Sequence, residues 1–257
     1  MHILRKSSIR RNECKTNIDK RKMIKAYKGD CLEIMSEIGK NTVDLILTDP
    51  PYMISRKTNF SKGGGNQSKY GMISMDFGEW DWGDGVDMEK YFTEAYRILK
   101  KGGTIIMFYD IFKMEQIKTI AEKIGFKQPR IGFWNKTNAV PVNAKVNYLS
   151  NAREYFISFC KGKKGTFNSY YDKGSYDYPI VSGKKRVHPT QKPYGLMADL
   201  IKVHTNPGDM ILDSFAGSGV VLEACTNLGR NGIGIEIDEK YYNECKKWEN
   251  NVQNSEQ

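Results

Sequence analysis

Short apolar runs alternate with longer amphipathic stretches between residues 43 and 237, and that alternation leaves few architectures open. Strand-like runs fall at 43–48, 104–109, 131–135, 154–160, 210–215 and 232–237. Helix-like stretches fall at 88–99, 112–124, 194–204 and 219–228. Short apolar runs closed by glycine, proline or aspartate read as buried strands, whereas apolar side chains at helical spacing read as amphipathic helix. Gly102 and Gly103 are expected to stop the first of these helices, and Gly125 the second. Parallel neighbours need a crossover between them, usually a helix. The pattern therefore predicts an α/β fold, a parallel-rich sheet with helices on both faces. A chain of 257 residues suits one such domain with modest insertions.

Three stretches stand outside the alternation. Residues 1–22 carry Arg5, Lys6, Arg10, Arg11, Lys15, Lys20, Arg21 and Lys22 against only Glu13 and Asp19. They lack the apolar core of a secretion signal and are expected to form a basic arm outside a domain spanning 23–257. Residues 53–85 are rich in glycine and contain Trp80 and Trp82. Loops this long are often functional, and this one is expected to border the active site. Residues 161–187 interleave lysines with Phe167, Tyr170, Tyr171, Tyr176 and Tyr178 and show no clear period.

The net charge of +10 favours a polyanionic partner. No apolar run approaches the length that crosses a bilayer, so a cytoplasmic location is expected. Cys14, Cys31, Cys160, Cys225 and Cys245 are scattered and odd in number, which argues against a disulfide framework. Neither they nor His2, His188 and His204 have metal-ligand spacing.

Two constellations carry chemistry. The turn Asp213-Ser214-Phe215-Ala216-Gly217-Ser218-Gly219 lies between a strand and a helix, and the next strand reaches Glu236. Glycines there let the backbone approach a ligand, and the later carboxylate can accept from ribose hydroxyls. This fits an adenosine-containing cofactor. The third glycine of the dinucleotide fingerprint is absent, and Asp213 would repel a pyrophosphate but suit a cationic amino group. The second constellation is Thr48-Asp49-Pro50-Pro51-Tyr52, directly after the strand at 43–48. Prolines stiffen the turn and supply carbonyls without N–H donors. Asp49 adds a carboxylate and Tyr52 a flat face, a set of acceptors that matches a planar amine.

With these motifs the chain resembles the DNA amino-methyltransferases of the D-P-P-Y group, which modify adenine N6 or cytosine N4. The order is that of the permuted β-type, with the catalytic motif ahead of the cofactor motif. Matching pieces are Gly29-Asp30-Cys31, Asp49-Pro50-Pro51-Tyr52, His188-Pro189-Thr190-Gln191-Lys192-Pro193 and the turn from Asp213 to Gly219. The resemblance implies a Rossmann-like S-adenosylmethionine-dependent methyltransferase sheet, mostly parallel, with one antiparallel strand near 154–160. It implies S-adenosylmethionine as cofactor, with Asp30 near its adenine and Glu236 on its ribose. Asp213, Phe215, Ala216, Gly217 and Gly219 would line the methionine and ribose end, and Thr190, Gln191 and Lys192 would support the methionine end.

The catalytic residues would be Asp49, Pro50, Pro51 and Tyr52. The Asp49 carboxylate and the Pro50 carbonyl would accept from the target NH2, with Tyr52 stacked on a base extruded from the duplex. Lys163, Lys164, Lys184, Lys185 and Arg186 would contact DNA from a target-recognition segment at 161–187. Double-stranded DNA is the implied partner, homodimers are common in the family, and a bacterial or phage restriction-modification setting adds a cognate endonuclease. Adenine N6 is the expected target, since cytosine enzymes often carry serine in place of Asp49. Cytosine N4, RNA and protein glutamine remain alternatives, as do a non-catalytic nucleic-acid binder and an NAD enzyme on a similar fold.

Overall fold

The computed structural model describes residues 23–51, 86–139, 149–150, 152–163, 165–183, 186–188 and 190–255. The arm at 1–22, the loop at 53–85, Tyr52, Lys164, Lys184 and Lys185 lie outside the described residues.

Among the described residues eight strands form one sheet: β1 (Ile24–Lys28), β2 (Val43–Thr48), β3 (Leu99–Phe108), β4 (Phe126–Lys136), β5 (Arg153–Lys161), β6 (Ser175–Tyr178), β7 (Met210–Asp213) and β8 (Asn231–Glu236). Their spatial order is β1-β8-β7-β2-β3-β5-β4-β6. β5 pairs antiparallel with both β3 and β4, and every other pairing is parallel. The expected single antiparallel strand near 154–160 is therefore β5.

Six α-helices among the described residues cover the sheet: α1 (Cys31–Glu37), α2 (Met88–Ile98), α3 (Met114–Ile124), α4 (Tyr194–His204), α5 (Val220–Leu228) and α6 (Glu239–Ser255). Alternation along the strands sends side chains to opposite faces. Ile105 and Met107 join the core under α1–α3, while Ile106 and Phe108 join the core under α4–α6. On β8 the two faces differ in size. A Cβ on Gly234 would lie 2.8 Å from Leu222 Cδ1, so glycine there is what lets α5 seat against the sheet.

Gly102 and Gly103 do not stop α2, contrary to the sequence expectation. The helix ends at Ile98, Leu99 turns extended, and β3 starts at once. The glycines sit inside β3, where the register against β2 jumps from Val43↔Leu99 to Leu45↔Thr104. A Cβ on Gly103 would meet Lys100 O at 2.9 Å and Asp44 O at 3.1 Å, so the residue serves a bulge and not a helix end.

Strand order creates the site. From β2 the chain passes through α2 on one face to β3. From β7 it passes through α5 on the other face to β8. β2 and β7 are neighbours, paired through Leu45↔Ile211 and Ile46↔Leu212. The crossovers diverge between them, which opens a crevice at the carboxyl ends of these strands, the usual ligand position in open α/β sheets.

Candidate active site

Asp49 follows the last residue of β2, Asp213 closes β7, and Glu236 closes β8. Three carboxylates thus stand at the carboxyl ends of three adjacent strands.

Asp213 is buried, and Thr48 Oγ1 donates to its Oδ1 at 3.1 Å, as does Phe215 N at 3.2 Å. Burial pushes its carboxyl up to about 7. Thr48 Oγ1 also lies 3.1 Å from Ser214 Oγ, which is 2.6 Å from the Tyr91 hydroxyl of α2. Burial keeps the Tyr91 phenol protonated. The sequence placed Thr48 and Ser214 inside the two motifs without a role and gave no sign of Tyr91, since a hydroxyl carries no signature of its partner.

The turn after Asp213 winds through Gly217 at φ 48° and Gly219 at φ 76°, both in the left-handed region that glycine adopts without steric cost. Gly217 N donates to Glu236 Oε2 at 2.7 Å, and Asp238 N donates to Oε1 at 2.9 Å. Burial raises the Glu236 carboxyl despite these bonds. Phe215 stacks at a tilt on Tyr91, with ring centroids 5.8 Å apart, and Ala216 is buried beside it. A buried carboxylate of raised affinity for a proton, next to a glycine turn and a second carboxylate, fits a ligand with a cationic amino group at one end and hydroxyls at the other. Asp30 stands beyond the end of β1, where its Oδ1 caps α1 by accepting from Leu32 N at 2.8 Å and Glu33 N at 3.2 Å.

The segment before α4 lies against this turn. A Cβ on Gly217 would be 3.8 Å from the His188 ring. Burial pushes His188 down to about 4, with Lys192 and Arg186 adding to the effect. Its Nδ1 faces Thr190 Oγ1 at 3.1 Å, and its ring meets Tyr241 edge-on at 4.3 Å. Gln191 folds back to accept from Val187 N at 2.9 Å. Lys192 reaches the end of β2. Only 3% of its side chain is exposed, its ammonium pairs with Asp49 Oδ2, and it lies 3.0 Å from Glu154 Oε2. Glu154 in turn pairs with Lys136 at 2.6 Å. Neither Lys136 nor Glu154 carries a sequence motif that marks it.

Burial raises the Asp49 carboxyl, with Lys192 pulling the other way. Burial also works against the Glu154 carboxylate, but Lys192 and Lys136 outweigh it and hold it below the usual range. Asp49 Oδ1 is withdrawn from solvent and accepts no hydrogen bond from any described residue. Pro50 is buried and Pro51 partly buried beside it.

The expected DNA contacts separate. Arg186 Nε lies 3.4 Å from His188 O, within the segment at the turn after Asp213. Lys163 follows the carboxyl end of β5. Cys160 of β5 pairs with Thr104 while Phe156 pairs with Phe108, so Lys163 lies at the sheet edge opposite Asp49. Tyr176 and Tyr178 belong to β6 and pack inward. Trp134 Nε1 donates to Tyr178 O at 2.8 Å, and the Tyr178 hydroxyl pairs with Asp199. Tyr170 and Tyr171 are exposed.

The DNA methylase family matches residues 43–247. The type II methyltransferase M.HinfI of Haemophilus influenzae is 31% identical over 244 residues, covering 86% of this chain and 66% of its own length. The chain thus spans just under two thirds of that relative. The type II methyltransferase M2.MboI of Moraxella bovis is also 31% identical, with 86% of this chain and 85% of its own length covered. Among solved structures, the M1.HpyAVI–SAM complex shares 28% identity at a TM-score of 0.67, covering 88% of this chain and 98% of that one. The cytosine-N4-specific PvuII DNA methyltransferase shares the fold at a TM-score of 0.66 with 16% identity, covering 91% of this chain and 92% of that one.

Proposed function

The chain belongs to the adenine-N6 and cytosine-N4 DNA methylase family, its cofactor is S-adenosylmethionine, and from that premise we propose that it methylates adenine at N6 at specific sites in double-stranded DNA. The observation that carries the reading is Asp49 Oδ1. An unpaired buried carboxylate oxygen is costly. Here it stands beside the crevice at the end of β2, where an arriving N–H donor would satisfy it.

The cofactor supplies a methyl group already activated on a sulfonium. Asp213 would hold the amino group of its methionine end, Glu236 its ribose, and the turn from Phe215 to Gly219 would admit it closely. Asp30, Thr190 and Gln191 are proposed to border the same pocket. The amine lone pair of adenine is delocalised into the ring and nucleophilic only weakly. Hydrogen bonds from that NH2 to Asp49 Oδ1 and the Pro50 carbonyl would localise it and stabilise positive charge as it develops on nitrogen. Nitrogen gains a methyl and gives up one proton, and the raised Asp49 carboxyl suits an acceptor for it. Tyr52 is proposed to stack on the extruded base, and Pro51 to stiffen the turn. Arg186, with Lys184 and Lys185, is proposed to contact phosphates.

Adenine is favoured because Asp49 stands where cytosine enzymes often carry serine. Digestion of treated DNA to nucleosides and mass spectrometry tests it. N6-methyladenine is expected. N4-methylcytosine alone would overturn the choice of base, and no methylated base would overturn the activity.

A further inference from the structure

Behind Asp49 runs a chain of partly buried ion pairs centred on the buried Lys192. Lys192 is a buried ammonium shared by two carboxylates, Asp49 and Glu154, and it also lies 5.0 Å from the Phe108 ring centroid. Glu154 sits on the antiparallel strand β5, paired with Trp134 of β4. Two residues along β4, on the same face, Lys136 reaches Glu154 Oε1 at 2.6 Å. Two cations and two anions alternate: Asp49, Lys192, Glu154, Lys136.

A buried ion pair is poor evidence for stability alone, because desolvation offsets much of the attraction. Its order matters more here. A Lys192 ammonium given wholly to Asp49 would cancel the charge that Asp49 presents through Oδ1. An ammonium divided between Asp49 and Glu154 orients Oδ2 yet leaves net negative potential at Oδ1. Lys136 keeps Glu154 ionised from the far side.

We propose that Glu154 is a positioning residue for methyl transfer, sharing the Lys192 ammonium so that Asp49 is both fixed and left a strong acceptor for the target amine. The inference rests on the reading of Asp49 as amine acceptor, and it assigns Lys192 to that acceptor.

The test compares wild type, Glu154→Gln and the double variant Glu154→Gln/Lys136→Met. Single-turnover methyl transfer to DNA, KM for DNA and cofactor affinity by calorimetry are measured on each. Both variants should lose about tenfold or more in the transfer rate, with KM and cofactor Kd within about twofold of wild type. The double variant removes a pair without stranding a partly buried charge, so it keeps the fold if the single variant does not. A merely structural salt bridge predicts that the double variant recovers the wild-type rate, and that result would overturn the proposal. So would a cofactor affinity that falls in step with the rate, which would return Lys192 to the cofactor pocket. Wild-type protein that transfers no methyl to DNA would instead overturn the reading of Asp49, and this inference with it.

Discussion

Thr48 Oγ1 lies 3.1 Å from Asp213 Oδ1, and this hydrogen bond ties the strand that carries Asp49 to the strand that opens the proposed cofactor turn. Thr48 immediately precedes Asp49, so the proposed acceptor for the amine and the proposed holder of the methyl donor share one buried contact. In-line transfer gains most from relative placement of the two reactants. Ser214 and Tyr91 extend the contact into α2, so a helix packed on the sheet braces both motifs.

Asp49→Ala is expected to lower methyl transfer by at least about 100-fold while leaving cofactor affinity near wild type. In the proposed mechanism Asp49 acts on the amine, and the proposed pocket around Asp213 and Glu236 is left intact. Turnover with labelled cofactor and calorimetry report the two quantities. Retention of activity would remove Asp49 from the mechanism.

Asp213→Asn should change the pH dependence of the ligand-free protein. The Asp213 carboxyl is up to about 7 in the fold against an ordinary value of 3.8. Between those values the unfolded chain has released the proton and the folded chain keeps it, so this group makes stability fall as pH rises through the window. Replacing it should flatten that part of the stability profile, with the variant gaining on wild type toward pH 8. A cationic ligand group favours the ionised form, so wild-type cofactor affinity should rise with pH up to about 7 and then level, and the variant should bind weakly throughout. Melting temperatures and calorimetry across pH 4 to 8 decide it, and parallel profiles for the two proteins would refute it.

Glu236→Ala should weaken cofactor binding by roughly 10- to 150-fold, the equivalent of about 1.5–3 kcal/mol for a lost charged hydrogen-bond partner. Glu236→Gln keeps an acceptor for one of the two backbone donors, Gly217 N and Asp238 N, and should lose less. Equal affinities for all three proteins would move the nucleotide pocket elsewhere.

Changing Lys184, Lys185 and Arg186 together to alanine should weaken DNA binding and flatten its salt dependence, by a slope of up to about 0.9 for each phosphate that is no longer neutralised. Lys163→Ala should do neither, because Lys163 lies at the opposite edge of the sheet. Titrations at several salt concentrations compare them. A larger loss from Lys163 would place the DNA on the other side of the molecule.

The sequence by itself determined the fold class and both motifs. A strand that runs into Asp-Pro-Pro must end there, since proline removes donors and fixes the backbone, and a glycine turn between strand and helix announces a close approach. Such chemistry is local and survives without neighbours. Glycine is also where local reading failed. Gly102 and Gly103 look like a helix stop, but β2 pairs through them as a bulge, which only the partner strand can show. β6 was invisible for the same reason, its alternating burial being shallow and its place at the edge of β4 being fixed by pairing. The tertiary structure alone decided that Lys192 reaches Asp49, 143 positions away, and that Glu154 and Lys136 stand behind it. A long side chain on an irregular segment has no direction until the sheet is assembled. Strand order, not spacing, then brings β2, β5 and the segment before α4 to one edge.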